Sequence, residues 1–261
     1  MESYYKYRRK KKTRKRTFFT IVILILVLIL LIILRQSQIR LFREEKLPQA
    51  LIYQLPKIKK VEISHANVTT DEDGDGINDQ EDIFEGVKLE LEKKAGNIIT
   101  EGSLNYFEGG DPPPDKAICT DIIARALANA GYDLRMLVDR DIRENFEEYP
   151  WELWEVKIPD SNIDYRRPEN LITFFKRNAK SLVLEIEPKN SQNLLQWIPG
   201  DIIFWDINRN GIVDHCGILS DRPNKENIPY VIHNYIEPGY TVEEDVLQKW
   251  LIIGHFRFPG K

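Results

Sequence analysis

An α+β body carried behind a single membrane-spanning helix is the architecture this sequence predicts, and three observations predict it. One unbroken apolar run lies near the amino terminus, amphipathic helical stripes fill the middle, and short β-type runs divided by turn residues crowd the last third. With 261 residues, 42% of them hydrophobic and 30% charged, the chain has apolar side chains enough for a packed core. Disorder throughout and a polytopic membrane protein are both excluded.

The formal net charge of -4 hides two unlike parts. Residues 1–46 hold 13 of the 37 Lys and Arg against Glu2, Glu44 and Glu45, which leaves 24 cations and 38 acids, a net of -14, in 47–261. An acidic body of that size repels phosphate backbones, so no nucleic-acid partner is expected for it.

The basic tail, residues 1–16, precedes a run from Thr17 to Leu34 that is apolar except for Thr17 and Thr20. As a helix the run is about 27 Å long, enough to cross a hydrocarbon core. Nine cations from Lys6 to Arg16 lie ahead of it, so the amino terminus is expected in the cytoplasm and the body outside. Leu30 to Arg40 offers no small-residue cleavage triplet, which predicts an uncleaved, single-pass anchor in the cell membrane with a stalk over 35–70.

Residues 71–82 form an acidic loop. Asp71, Asp73, Asp75, Asp79 and Asp82 occupy positions 1, 3, 5, 9 and 12, with Gly76 at 6 and the Ile77 carbonyl at 7. A hard cation takes six to eight oxygens, so alternate carboxylates around a glycine-enabled reversal predict a structural calcium ion. Asp82 stands where an EF-hand has Glu, and that shorter ligand resembles the calcium loops of dockerin modules. A second stretch, Asp206 to Asp214, imitates only the first positions; Asn210-Gly211 between alternating apolar runs reads there as a β-turn. No organic cofactor is expected.

The body, 83–261, reads as helix first and sheet later. Helices are expected around Ile83 to Lys94, over Thr120 to Ala130 with Gly131 as the C-terminal stop, and from Pro168 to about Lys180. Strands are expected at Asp201 to Asp206, Ile212 to Leu219, Tyr230 to Tyr235 and Leu251 to Phe258; their close spacing favours an antiparallel sheet.

The chemistry follows from two of these elements. Cys119 opens a helix, where the macrodipole and free amides favour a thiolate, and His215 and His233 lie on successive strands that can set two imidazoles side by side. Nucleophile, base and orienting residue are thus all available. Cys119 and Cys216 are also able to form a disulfide, but strand alternation turns Cys216 away from the face that presents His215, which is the face expected to meet Cys119. His65 and His255 read as exposed or structural, and Trp197, Trp205 and Trp250 as core.

At these residues the sequence resembles a known family. The runs Ala-Ile-Cys119-Thr-Asp-Ile-Ile-Ala-Arg-Ala, Asn162-Ile-Asp-Tyr-Arg166-Arg167-Pro, Pro199-Gly-Asp201-Ile-Ile-Phe-Trp, Asp214-His215-Cys-Gly-Ile, Ile232-His233-Asn234 and Ile253-Gly-His255-Phe-Arg257 look like the bacterial DUF1287 domain over about 83–258. That family is considered similar to the NlpC/P60 group of cysteine hydrolases. The resemblance implies a papain-like core with a nucleophile-bearing helix, Cys119 as nucleophile, His215 as base and His233 as the residue orienting it. In this chain 96 residues separate Cys119 from His215, and Tyr132 to Trp197 stands as an insertion.

Arg166 and Arg167 suit a substrate carboxylate such as the end of a peptidoglycan stem peptide, or an ion pair with Asp164 or Glu169. Tyr106 and the Gly109-Gly110 turn are placed at the cleft, beside an oxyanion held by the Cys119 amide. The expected function is an anchored extracytoplasmic cysteine peptidase or amidase acting on peptidoglycan amide bonds; the alternative is a non-catalytic envelope-binding ectodomain on the same fold.

Overall fold

The computed structural model describes residues 61–62, 68–99, 106–155 and 157–260. The chain divides into two compact units, Met1–Lys57 and Ile58–Lys261, and the second holds every described residue. The sequence-predicted basic tail and membrane span lie outside the described residues. Among those described, no helix is long and apolar enough to cross a membrane.

The acidic loop runs directly into helix α1, Asp79–Lys93, whose N-cap Asn78 accepts from the Glu81 amide. The helix therefore starts four residues before the expected Ile83, where the Asn78 side chain caps it. Two short parallel strands follow, β1 (Gly96–Asn97) and β2 (Lys116–Ala117). Helix α2, Cys119–Asn129, buries Ile122, Ile123, Ala126 and Leu127 at helical spacing. It stops where Gly131 turns to φ +83°, with the Tyr132 amide reaching back to the Leu127 carbonyl at 3.0 Å.

The expected insertion proves to be an integral helical layer. Helix α3, Leu134–Glu144, which sequence periodicity did not single out, is capped by Asp133 and packs through Leu134, Val138 and Ile142. Helix α4, Pro168–Asn178, begins at a proline as expected and buries Leu171, Ile172, Phe174 and Phe175. Strand β3 (Lys180–Ser181) and the short helix α5 (Ser191–Leu194) lead to the main sheet.

Strands β4 (Ile202–Asp206), β5 (His215–Pro223), β6 (Pro229–Asn234), β7 (Thr241–Glu244) and β8 (Leu251–Arg257) join β3 in one antiparallel sheet of order β3-β8-β4-β5-β6-β7. The expected α+β class with an antiparallel sheet is thus what the chain adopts. Alternation along the strands divides two cores. Ile202, Phe204, Cys216, Ile218, Ile232 and Phe256 face the helices. Ile203, Trp205, Leu219 and Val231 face the other way, onto Trp197, Val246 and Leu247.

The largest shift of a strand boundary from expectation is at β5. Strand β5 starts at His215 rather than Ile212, because the Asn210-Gly211 segment is part of a wide loop and not a tight hairpin. The Asp206 carboxylate accepts the Asn210 and Gly211 amides, and Asp214 accepts those of Ile207 and Asn208. Those acids accept backbone amides and so shape the loop.

Candidate active site

The start of α2 is built by an ion pair that neither end of the motif reveals. Asp121 accepts the Ile118 amide at 2.8 Å and is gripped by Arg166 through Nε at 2.7 Å and Nη2 at 3.1 Å, with both side chains fully buried. Thr120 Oγ1 donates to the Arg166 carbonyl, and the Arg166 guanidinium lies over the Phe107 ring. Ile118 is thereby held extended at φ -121°, ψ 178°, which sets Cys119 as the first helical residue. At that position the Cys119 and Thr120 amides have no intrahelical acceptor and are disposed toward an anion.

The expectation that Arg166 meets substrate is corrected: its guanidinium is enclosed and committed to Asp121. Arg167 is likewise engaged, bonding Asp164 Oδ1 at 2.9 Å and stacking 4.0 Å from the Trp154 ring centroid. Tyr106 is largely exposed, and its hydroxyl accepts from Asn162 Nδ2 at 2.7 Å. Gly109 lines a surface pocket with Ala124, Arg125 and Ala128, and Gly110 packs against Tyr165 and Arg135.

Sheet register brings the imidazoles together. His215 pairs with Trp205 across β4 and β5, while Ile218 pairs with Ile232 across β5 and β6, so the two histidines are diagonal neighbours on one face. Gly217 lies between them. A methyl group there would come within 2.7 Å of Val231 Cγ1 and 3.1 Å of His233 Cβ, so the missing side chain makes room for the His233 ring. His215 Nε2 and His233 Nδ1 are 2.8 Å apart, and His233 Nε2 lies 3.2 Å from Glu244 Oε2.

That chain of bonds assigns the protons. Burial first, then the His215 and Lys249 charges, lowers the His233 pKa to about 3, so His233 is neutral. A carboxylate only accepts, hence His233 Nε2–H donates to Glu244, its Nδ1 accepts from His215 Nε2–H, and His215 Nδ1 is left for another partner. Trp205 stacks on the His215 ring at 5.6 Å and 21°, and Tyr235 and Trp250 flank it at 4.9 and 5.6 Å.

His215 and Cys216 are the two neighbours that govern the Cys119 thiol. The Cys119 pKa is held well below the ordinary thiol range, by hydrogen bonding from the Cys216 thiol first and against the cost of burial, with the His215 charge, its hydrogen bond and the Cys216 amide adding to the effect. Cys216 moves the opposite way, raised by burial and by the neighbouring Cys119 sulfur. We assign the thiolate to Cys119, since the helix terminus and His215 favour it there. Both cysteines are free and buried.

The expected orientation of Cys216 is corrected by this contact. His215 and Cys216 do alternate, but it is Cys216 that faces the helix layer with Cys119, while His215 faces Trp205. His215, the first residue of β5, still acts on Cys119 through its charge. His255, expected to be structural or exposed, is buried against Asp201 Oδ2 and the Val183 carbonyl, with Trp197 stacked on it.

Sequence reasoning missed Glu244, Cys216 as a partner, Asp121, Glu169 and Tyr235. Glu169, in the first turn of α4, has its carboxyl pushed up by burial, with Cys119 and Asp214 among the charges it faces. The Tyr235 phenol is raised by burial and by Asp214, Glu237 and Cys119, and stays a proton donor. Glu244 ends β7, a strand the sequence analysis did not expect, and carries no local signal of this kind, whereas Asp at the third position of a helix was a visible capping cue. A surface cavity of about 810 Å³ between Thr70, Tyr132, Arg140 and Phe258 does not have Cys119 in its lining.

In the acidic loop Asp71, Asp73 and Asp75 each offer an oxygen within 4.8 Å of the others, all exposed. The Gly76 amide donates to Asp71 Oδ2 and the Ile77 amide to Asp75 Oδ1, which curls the loop around that triplet. Asp79 is turned into the body instead: its oxygens accept from the Glu72 amide and the Tyr132 hydroxyl. Asp82 is buried in the first turn of α1, and burial followed by the surrounding carboxylates raises its pKa to about 6.

The family model for a domain of unknown function, DUF1287, matches residues 102–258. The chain is 41% identical over 152 residues to the uncharacterized protein YijF of Escherichia coli strain K12, covering 58% of this chain and 69% of that protein. Two crystal structures of an N-acetylmuramoyl-L-alanine amidase from Bacteroides uniformis ATCC 8492 align with 69% of this chain and 98% of theirs. Their identities are 13% and 12% and their TM-scores 0.38 and 0.36.

Proposed function

We propose that this chain, which belongs to the DUF1287 family, is a papain-like cysteine hydrolase similar to the NlpC/P60 group, cleaving amide bonds in peptidoglycan stem peptides. The observation that carries the reading is the ordered run Glu244, His233, His215, Cys119, which leaves His215 Nδ1 free for the sulfur. In that arrangement the Cys119 thiolate attacks the amide carbonyl. The oxyanion is met by the Cys119 and Thr120 amides, and the His215 imidazolium gives its Nδ1 proton to the leaving nitrogen. His215 then takes a proton from water, which hydrolyses the thioester, while neutral His233 keeps the ring in register. Tyr106 is the exposed substrate contact in this reading.

We also place the body outside the cell, held to the membrane by residues 17–34, with calcium bound by Asp71, Asp73, Asp75, the Ile77 carbonyl and Asp82. Asp79 contributes from within the body, as an anchor of the loop. The low exposure of Cys119, 4%, favours a second reading in which the same ectodomain binds wall peptide without turnover.

Incubating the full-length chain with stem-peptide fragments separates the two. Release of new amino termini, lost in Cys119→Ala with unchanged melting temperature, is the expected result. Iodoacetamide labelling of Cys119 is expected to stay fast well below the ordinary thiol pKa of about 8.5. An ordinary titration together with no cleavage of any fragment leaves only the binding ectodomain.

A further inference from the structure

We propose that Cys119 and Cys216 form a reversible disulfide, in which Cys216 captures the oxidised nucleophile before it is lost to irreversible oxidation. The chemistry does not need the hydrolytic reading, although its consequence for activity rests on it.

The pair is a product of tertiary packing. Cys119 heads α2, Cys216 is the second residue of β5 on the face toward that helix, and both are free, buried thiols in one apolar cluster, each shifting the titration of the other. No disulfide is needed to hold these elements, since the Arg166–Asp121 pair and the helix core already fix the start of α2. Two thiols buried in one cluster on facing elements, with Cys119 at a helix start that favours its thiolate, are the arrangement that thiol oxidation chemistry uses.

The step balances with a hydroperoxide as oxidant. The Cys119 thiolate attacks hydrogen peroxide, an S–O bond forms as the O–O bond breaks, and the leaving hydroxide takes the His215 proton as water. The product is a neutral sulfenic acid. Its formation removes the thiolate charge that opposed ionisation of Cys216, whose sulfur then attacks Cys119. An S–S bond forms, the S–O bond breaks, and the departing hydroxide takes the Cys216 proton. Two thiols have lost two electrons and peroxide has become two waters; a dithiol reductant reverses the change by exchange.

The test treats the purified full-length chain with hydrogen peroxide, blocks free thiols with N-ethylmaleimide, and reads intact mass and tryptic peptides. Expected are a loss of two hydrogens, loss of labelling at both cysteines, a cross-linked Cys119–Cys216 peptide pair, and full recovery with dithiothreitol. In Cys216→Ala, or Cys216→Ser should the first fail to fold, Cys119 is expected to gain two or three oxygens that dithiothreitol does not remove. Oxygen adducts on wild-type Cys119 with Cys216 still free, or no reaction at either thiol, overturn the proposal. A cross-link in a chain that cleaves no wall fragment defeats the hydrolase reading and leaves the pair standing, while cleavage without a cross-link does the reverse.

Discussion

His215 Nε2 and His233 Nδ1 meet at 2.8 Å, and the third member of the line, Glu244, decides which nitrogen carries the proton. Because Glu244 is partly exposed, 37%, water can replace some of what it does. Glu244→Leu removes the acceptor for His233 Nε2–H and so releases the tautomer preference that keeps Nδ1 as an acceptor toward His215. General acid–base catalysis is worth about 10²–10⁴ in rate, and we expect this variant to lose roughly tenfold in kcat with little change in KM or melting temperature. An unaltered kcat in steady-state assays shows that Glu244 does not steer the pair.

The buried pair at the head of α2 makes a stability prediction. Asp121→Asn leaves the Arg166 charge uncompensated in an enclosed site, and breaking such a pair costs about 3–5 kcal/mol. Replacing both partners, Asp121→Leu with Arg166→Met, is expected to recover most of that loss in denaturant melts while leaving the Ile118 amide uncapped. A single variant as stable as the wild type refutes the assignment.

His233 gives the pH dependence its sign. Its folded pKa of about 3 is below the ordinary value of 6.5, so between those values the unfolded chain binds more protons than the folded one. Stability from this residue is therefore present above pH 6.5 and lost as pH falls toward 3. Melting curves across that window are expected to steepen by close to one proton relative to His233→Asn, and identical slopes for the two proteins contradict a neutral, enclosed imidazole.

Calcium is expected to stabilise the acidic loop and, through Asp79, Gln80 and Tyr132, the ends of α1 and α2. Binding to the folded form alone adds about 2.7 kcal/mol at a hundredfold excess over Kd. A melt that is the same in calcium and in chelator removes the ion from the account, and Asp73→Ala is expected to abolish the shift.

Much of the site was legible in the chain itself. Cys119 at a helix start, two histidines on successive strands and a loop of alternating carboxylates are local patterns, because each depends on spacing within one element or one turn. The same holds for helix α4 behind Pro168 and for most of the strands. Arg166 was misjudged for the same reason: a charged pair beside a proline has no sequence mark that tells solvent from core.

By itself, then, the sequence determined the α+β class, the family and the candidate site residues Cys119, His215 and His233, since periodicity and motif order are properties of neighbours along the chain. Only the tertiary structure decided that Asp121 belongs to Arg166, that Glu244 orients His233, and that Cys216 faces Cys119. Those relations join residues 11 to 97 positions apart across a sheet register and a helix–sheet contact, and which face a strand turns to a helix is settled by what the whole core buries.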